Sequence, residues 1–220
     1  MPTLLLIRHG ENDLVGRKLA GRTPGVHLNE NGQKQAAAVA QALGKAPIKA
    51  VYSSPMERAF ETAQPLAAAL GLDVQVRPGL IEIDYGRYQG RTFKQLARAK
   101  IWKEVLKNPA EGRFPDGESF SEAQARVTNE LEAIAALHAE DEIVACFTHA
   151  DVVRLSVAHY LKMPIEAFQR LMVSTTSVSV IVRVKDDVFV PHINQVAGFE
   201  IKMPEKKEEK EKDKTSEKKE

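Results

Sequence analysis

Short apolar runs that end in polar residues constrain the fold of this chain more than any other feature. Residues 4–7 and 143–147 are continuous apolar segments, and both are too short for a buried helix. Such runs are typical of parallel strands that are buried on both faces of a sheet. Polar residues follow each run directly, Arg-His-Gly at 8–10 and Thr-His at 148–149, so they are placed at the carboxyl ends of the two strands.

Helical periodicity and β-branched runs alternate along the rest of the chain. The pattern predicts an α/β fold, a three-layer α/β/α sandwich around a mostly parallel sheet, with a C-terminal hairpin that adds edge strands. Residues 86–118 break the alternation with short helical pieces and turn residues, so we expect a small helical insertion over one end of the sheet. The predicted helices are 33–43, 56–70, 119–137 and 150–161, and the predicted strands, the second with its turn, are 4–7, 50–55, 74–76, 143–147, 178–184 and 188–193.

Length and charge restrict the class of protein. The 220 residues, 43% hydrophobic and 28% charged, fit one large globular domain, which we place at 1–201. Residues 202–220 mix Lys and Glu with almost no apolar side chains, so a disordered tail is expected there. The formal net charge is only +1, which argues against nucleic acid as a partner.

Cysteine content and the N-terminus bear on the compartment. The single cysteine, Cys146, cannot form an internal disulfide and is expected to be a core thiol, and the first apolar stretch meets Arg8 after a few residues. We therefore predict a cytoplasmic protein without a membrane partner. The spacing of the remaining histidines and carboxylates does not suit a metal ion, so neither a metal nor a cofactor is predicted. Oligomeric state is left open, with a homodimer as one option.

Guanidinium and imidazole side chains converge at the predicted carboxyl edge of the sheet, where open α/β sheets bind their ligands. Arg8 and Arg58 offer planar forks suited to phosphate oxygens. The helix that begins near Arg58 adds positive potential from its backbone N–H groups. His9 and His149 directly follow the two buried strands. Each residue alone is more often solvated or a helix cap, but together they favour an anion site.

Four motifs in this order resemble the histidine phosphatase superfamily, the phosphoglycerate-mutase-like clan. They are Arg-His-Gly at 8–10, Ser-Ser-Pro-x-x-Arg-Ala-x-x-Thr-Ala at 53–63, the acid Glu82 within 80–86, and Thr-His at 148–149. The resemblance covers roughly residues 3–195. The loop at 19–32 is similar to that of a bacterial branch labelled probable phosphomutases.

The resemblance implies three catalytic residues. His9 is the expected nucleophile and forms a covalent phosphohistidine. His149 is expected to donate a hydrogen bond to an oxygen on which charge accumulates in the transition state. Glu82 is expected to protonate the leaving group and then to deprotonate water.

The same resemblance implies that Arg8, Arg58 and His149 bind the phosphate. Asn12 stands where the family carries Ser or Thr, and Val15 replaces a phosphate-binding Asn. We expect the amide of Asn12 to supply the missing contact.

The predicted function is that of a metal-independent phosphatase acting on a small phosphomonoester, with a phosphorylated metabolite as its partner. Mutases of the clan carry an Arg directly after the catalytic acid, whereas this chain has Ile83, which favours a phosphatase and leaves a phosphoglycerate-mutase-type phosphomutase as the alternative. A non-catalytic phospho-ligand-binding protein is an alternative of another class. Loss of His9 or Glu82 would mark such a binder, and both are present.

Two further sets of side chains receive weaker predictions. One set is expected to line the substrate entrance, and the other is expected to make only capping and turn hydrogen bonds. The first set is Arg22, Thr23, Tyr85 and Arg87, and the second is Ser53, Ser54 and Thr62.

Overall fold

A six-stranded mixed sheet lies at the centre of the computed structural model, which describes residues 2–184 and 187–196. Strands β1 to β4 run in one direction, and β5 pairs antiparallel with both β1 and β6, in the spatial order β3-β2-β4-β1-β5-β6. The predicted α/β class, the mostly parallel sheet and the C-terminal hairpin are confirmed. The strands are β1 (Thr3–Arg8), β2 (Ile48–Ser53), β3 (Val74–Val76), β4 (Ile143–Thr148), β5 (Val178–Val184) and β6 (Asp187–Gln195).

The helices cover both faces of the sheet and are close to the predicted ones. They are α1 (Glu30–Leu43), α2 (Glu57–Leu70), α3 (Phe93–Leu96), α4 (Lys100–Lys107), α5 (Phe120–Ala135) and α6 (Ala150–Tyr160). Asn29 caps α1 by accepting a hydrogen bond from the N–H of Gly32, and Gly71 ends α2 in the left-handed conformation that favours glycine. The predicted tail at 202–220 and residues 185–186 of the hairpin lie outside the described residues.

Strand β1 is buried on both faces, and its alternating side chains enter two separate cores. Leu4 and Leu6 pack in one core with residues of α5 and α6. Leu5 and Ile7 pack in the other core with residues of α1 and α2. The three-layer arrangement therefore follows from the continuous apolar run, because each face of the strand meets its own helix pair.

The predicted helical insertion is present as α3, α4 and the loops around them, held together by aromatic rings. The ring centroid of Trp102 lies 5.5 Å from that of Tyr88 and 5.4 Å from that of Phe114. Leu155 and Ala158 of α6 belong to the same apolar cluster. The insertion is thus packed onto the end of α6 and covers one end of the sheet.

Strand register brings three chain segments to one edge. Arg8 of β1 pairs with Thr148 of β4, and Ser53 of β2 pairs with Phe147. The residue that follows β1, His9, still donates its backbone N–H to the Thr148 carbonyl at 2.9 Å. The carboxyl ends of β1, β2 and β4 therefore deliver their next residues side by side. Among the described residues, no helix combines the length and the apolar character needed to cross a membrane.

Candidate active site

A cavity of about 560 Å³ opens at the carboxyl edge of β1, β2 and β4, and five of the six predicted site residues line it. The sixth, His149, is fully buried, and its ring centroid lies 5.3 Å from that of His9. The structure therefore brings the complete predicted set together. The five lining residues are Arg8, His9, Asn12, Arg58 and Glu82.

The imidazole of His9 is held with one nitrogen free. Its Nδ1 lies 2.7 Å from the backbone carbonyl of Gly10, and because a carbonyl only accepts, Nδ1 carries the proton and Nε2 keeps its lone pair. Burial and the nearby cations Arg58 and Arg8 hold the pKa of His9 well below its ordinary 6.5. A Cβ at Gly10 would lie 2.8 Å from the carbonyl oxygen of Gly32, so this close turn requires glycine.

Thr62 ties the His9 loop to helix α2. Its hydroxyl donates to the carbonyl of Arg58 at 2.6 Å, one helical turn earlier, and accepts from the N–H of Gly10 at 2.9 Å. The sequence predicted only local bonds for this hydroxyl. The second bond explains the Arg-Ala-x-x-Thr spacing, because one turn of helix places Thr62 within reach of both the His9 loop and the Arg58 backbone.

His149 is neutral and fully partnered in the free protein. Arg58 Nη2 lies 3.2 Å from His149 Nδ1, and because a guanidinium only donates, Nδ1 accepts and Nε2 carries the proton. That proton is donated to the hydroxyl of Ser54 at 2.8 Å. Burial and Arg58 hold the pKa of His149 well below its ordinary value. The prediction that Ser54 makes only capping and turn hydrogen bonds was therefore incomplete, because its hydroxyl also orients the His149 imidazole.

Three side chains present donors that have no partner among the described residues. Arg8 uses Nη1 on the carbonyl of Val173, and Arg58 uses Nη2 on the carbonyl of Gly21. Four buried atoms remain unpartnered, namely Nε of Arg8, Nε and Nη1 of Arg58, and Nδ2 of Asn12. Leaving such a donor unsatisfied costs about 1–3 kcal/mol, and more for a charged group. An anion with several oxygens in the cavity would satisfy all of them.

Glu82 has the protonation behaviour of an acid and a base in turn. The residue is only 9% exposed, and one carboxylate oxygen accepts from the N–H of Ile83 at 2.9 Å. Burial and the neighbouring Asp151 raise the pKa of Glu82 to about 7, against the opposing effect of Arg58. Its other oxygen lies 4.0 Å from His149 Nδ1. The carboxyl group is thus half protonated near neutral pH.

Three ion-paired side chains, called the loop brace here, hold the backbone that carries Glu82; they are Arg22, Glu118 and Arg126. Arg126 donates to two backbone carbonyls of the loop at 2.7 and 2.9 Å. Arg22 Nε donates to the carbonyl of Glu82 itself at 2.8 Å. Glu118 joins the two arginines, lying 2.9 Å from each. The loop has no regular secondary structure, so these bonds fix its path.

The prediction of which residues line the substrate entrance is only partly correct. Of the four residues predicted there, Tyr85 lines the cavity, whereas Thr23 does not, Arg22 belongs to the loop brace and Arg87 pairs with Asp116. Asp151 and Arg154 line the cavity and were missed. Asp151 accepts from the Tyr85 hydroxyl at 2.7 Å and pairs with Arg154 at 2.7 Å. Their place in the first turns of α6, just after His149, is the sequence signal that would have found them.

The cysteine of this chain does not line the cavity. Cys146 is fully buried in β4, and burial raises the pKa of its thiol to about 12, as expected for a core thiol. In the part of the chain that the structure describes, no group of three His, Cys, Asp or Glu side chains is arranged to hold a metal ion.

The chain belongs to the histidine phosphatase superfamily (branch 1), whose family model matches residues 4–195. It is an enzyme of the phosphoglycerate-mutase-like group within that superfamily, in agreement with the resemblance of its motifs. The match begins at the second residue of β1 and reaches the last residue of β6.

Relatives of this chain include both mutases and phosphatases. A 2,3-bisphosphoglycerate-dependent phosphoglycerate mutase of Thermoplasma acidophilum is 33% identical over 82% of this chain and 87% of its own length. Phosphoserine phosphatase 1 of Hydrogenobacter thermophilus is 30% identical over 82% of this chain and 86% of its own length. A mycobacterial glucosyl-3-phosphoglycerate phosphatase solved with VO3 is 28% identical, with a TM-score of 0.79 over 89% of this chain and all of that one.

Proposed function

We propose that this protein hydrolyses a small phosphomonoester through a phosphohistidine on His9, without a metal ion. The observation that carries the proposal is the set of four unpartnered buried donors on Arg8, Asn12 and Arg58. They line the same cavity as a neutral imidazole with a free Nε2 and a carboxyl group with a pKa of about 7. A phosphate dianion satisfies the donors, and the two titratable groups supply the chemistry.

Phosphoryl transfer to the enzyme is the first half of the proposed reaction. Nε2 of His9 attacks phosphorus, the bond from phosphorus to the ester oxygen breaks, and the Glu82 carboxyl proton passes to that oxygen. An alcohol leaves. Arg8 and Arg58 balance the negative charge on the transferred phosphoryl group. Because these cations are already in place, they lower the barrier to the transfer.

Hydrolysis of the phosphohistidine is the second half. The Glu82 carboxylate takes a proton from water, the water oxygen attacks phosphorus, and the phosphorus–nitrogen bond breaks. Inorganic phosphate leaves, His9 returns to its neutral form and Glu82 is again protonated. A pKa near 7 suits this alternation, because the two forms of Glu82 are then equally accessible at neutral pH.

The role expected of His149 changes with the geometry. Its Nδ1 accepts from Arg58 in the free protein, so it has no proton to donate there. A phosphate dianion bound beside Nδ1 raises the pKa of this imidazole, because an anion favours the charged form. The resulting imidazolium donates to a phosphoryl oxygen while Ser54 keeps the ring in place.

Hydrolysis fits this cavity better than a mutase reaction. The side chain of Ile83 is fully buried in the aromatic cluster and does not line the cavity, so this position offers no cation to a second anionic group. Arg154 does line the cavity, but it is already paired with Asp151. The phosphoglycerate mutase among the relatives keeps transfer to an acceptor as the second candidate.

The deciding experiment measures phosphate release from a panel of phosphomonoesters in EDTA, together with acid-quench trapping on labelled substrate. We expect turnover and an acid-labile, base-stable adduct on His9. His159→Ala is the matched control, because this imidazole is exposed on α6 and outside the cavity. Binding without release or adduct would make the protein a non-catalytic binder. Conversion of 3-phosphoglycerate to its isomer, faster than release of phosphate, would make it a mutase.

The partner that follows from this function is a small phosphorylated metabolite in the cytoplasm. The near-neutral charge of the chain gives no support to a nucleic-acid partner. A homodimer stays a prediction, which sedimentation at several protein concentrations tests directly.

A further inference from the structure

The cavity has two chemically different regions. One region holds the unpartnered donors of Arg8, Asn12 and Arg58, which suit a phosphoryl group. The other region is an apolar wall that extends from the phosphate region to the mouth of the cavity. The apolar wall, as the term is used below, consists of Leu14, Val15, Leu19, Phe93, Trp102 and Leu106.

Backbone hydrogen bonds join two of the three segments that build the apolar wall. Lys18 and Thr92 form an antiparallel bridge between the loop after β1 and the start of α3. The N–H of Leu19 donates to the carbonyl of Arg91 at 2.9 Å, and the N–H of Phe93 donates to the carbonyl of Arg17 at 3.2 Å. The third segment is α4, and its Trp102 and Leu106 belong to the same apolar cluster as Leu19. The three segments are therefore in contact.

Tyr85 connects the Glu82 side of the cavity to the apolar wall. Glu82 delivers the proton to the leaving oxygen, and Asp151 is close enough to raise the pKa of Glu82. The Tyr85 hydroxyl lies 2.7 Å from Asp151, and the Tyr85 ring centroid lies 6.1 Å from that of Trp102. The carbon skeleton of the departing alcohol thus meets the Trp102 side of the wall.

Asp151 and Arg154, two charged groups that line the cavity, are already partnered. Asp151 accepts from Tyr85 and pairs with Arg154, whose Nε donates to the carbonyl of Leu171 at 2.9 Å. Among the described residues, the buried unpartnered polar atoms that line the cavity all belong to the three phosphate-region residues. The carboxylates of Glu82 and Asp151 face this side and repel a second anion. Lys18 is the remaining cation there, and it is exposed.

We propose that the substrate is the phosphomonoester of an alcohol with an apolar, ring-containing body and no second anionic group. This inference rests on the proposed phosphatase function and names the substrate class of the same site. A cavity of about 560 Å³ falls within the range of small-molecule sites, about 300–1,000 Å³, and leaves room for such a body beside the phosphoryl group. Burying one phenyl ring against the wall raises kcat/KM by about 10- to 100-fold.

Three primary alkyl phosphates with the same reacting bond test the substrate class. They are propyl phosphate, 3-phenylpropyl phosphate and 3-carboxypropyl phosphate, which differ only at the far end of the chain. We expect 3-phenylpropyl phosphate to exceed propyl phosphate in kcat/KM by about 10- to 100-fold, and the carboxylate to be the poorest. Equal values, or a preference for the carboxylate, would overturn the inference and leave the phosphatase function standing. Hydrolysis of none of the three would also overturn the inference, and the wider phosphate-release panel would then decide the phosphatase function separately.

Substitutions in the wall separate this preference from general damage. Phe93 is 44% exposed, so Phe93→Ala is expected to fold, and it should lower the ratio of phenylpropyl to propyl turnover several-fold. Phe189→Ala is the matched control, because Phe189 is 53% exposed on the edge strand β6, outside the cavity. An unchanged ratio in Phe93→Ala and in Leu106→Ala would contradict the placement of the ring against this wall.

Binding without turnover gives an independent readout. Trp102 is the only tryptophan of the chain, so its emission reports directly on the apolar wall. In the His9→Ala variant, 3-phenylpropyl phosphate should change this emission at a concentration at least tenfold lower than propyl phosphate. Equal concentrations for the two compounds would show that the ring does not contact the wall.

Discussion

Replacement of Glu82 by Gln tests the acid–base half of the proposed reaction. Burial raises the pKa of this carboxyl from 4.5 to about 7, so about half of it carries a proton at pH 7. A carboxyl with a pKa of 4.5 would be protonated in about one molecule in 300 at that pH. The environment therefore raises the amount of the acid form by about 150-fold. We expect Glu82→Gln to lower turnover of an alkyl phosphate by about 10²- to 10⁴-fold, the usual span for general acid catalysis.

The assay compares two leaving groups over a range of pH. Nitrophenolate leaves without a proton, so phosphorylation by nitrophenyl phosphate should lose much less in the variant than phosphorylation by propyl phosphate. Wild-type kcat/KM on propyl phosphate should fall above about pH 7, where Glu82 ionises, and again well below pH 6.5, where His9 becomes protonated. Single-turnover measurements isolate the phosphorylation step from hydrolysis of the phosphohistidine.

A control in the same loop makes the result decisive. Asp84 lies two residues from Glu82, its carboxylate is 3.6 Å from Arg22, and it does not line the cavity. Asp84→Asn should keep the wild-type ratio between the two substrates. If Glu82→Gln lowered both substrates by the same factor, Glu82 would be a structural or binding residue. If Asp84→Asn alone showed the selective loss, Asp84 would be the acid.

Three further substitutions give distinct outcomes. His9→Ala should abolish turnover and the acid-labile adduct while leaving the melting temperature within a few degrees, because the nucleophile is lost and little packing is. Asp151→Asn should move the alkaline limb of the kcat/KM–pH profile to lower pH, because Asp151 raises the pKa of Glu82. Arg126→Gln should lower turnover of propyl phosphate by about 10- to 100-fold and spare nitrophenyl phosphate, because it loosens the loop that positions the acid.

Each of these outcomes has a result that contradicts it. Residual activity above a few per cent in His9→Ala would show that the covalent step lies elsewhere. An unmoved or raised alkaline limb in Asp151→Asn would show that this limb does not report Glu82. Arg183→Gln is the control for Arg126, because Arg183 of β5 pairs with Glu132 of the same helix α5 but is not part of the loop brace. A loss as large in Arg183→Gln would indicate a general effect on the helix.

Local sequence patterns were sufficient for the layers and for one edge of the site. A strand that is buried on both faces needs an unbroken apolar run. Of the six described strands, β1 and β4 contain such a run, at 4–7 and 143–147. Parallel pairing then places the residues after these runs side by side, which is why His9 and His149 could be expected near each other. The predicted strand and turn at 50–55 brought Arg58 to the same edge, and the resemblance of the motifs added Glu82.

Contacts between distant segments were beyond such patterns. The sequence around Thr62 and Ser54 fits helix capping and turn hydrogen bonds. The bond from Gly10 to Thr62 and the bond between Ser54 and His149 depend instead on how the helices pack on the sheet. Asn12 lines the cavity with its amide nitrogen free, but its oxygen is committed to the N–H of Leu14. Only one end of that amide is therefore open to an anion, which the sequence did not distinguish.

The pKa of Glu82 shows most clearly why chemistry needs the tertiary structure. Residue 82 follows a short 3₁₀ helix in a loop without regular hydrogen bonding, where an isolated carboxyl would be solvated. It is buried because Arg22 and Arg126, joined by Glu118, bind the loop carbonyls and hold the chain against the cavity. These brace residues lie 60 positions before and about 40 positions after Glu82. The brace thus acts on Glu82 indirectly, by holding it in the buried position that raises its pKa. A mutation in the brace should therefore be detected as a change in leaving-group dependence before it is detected as a loss of fold.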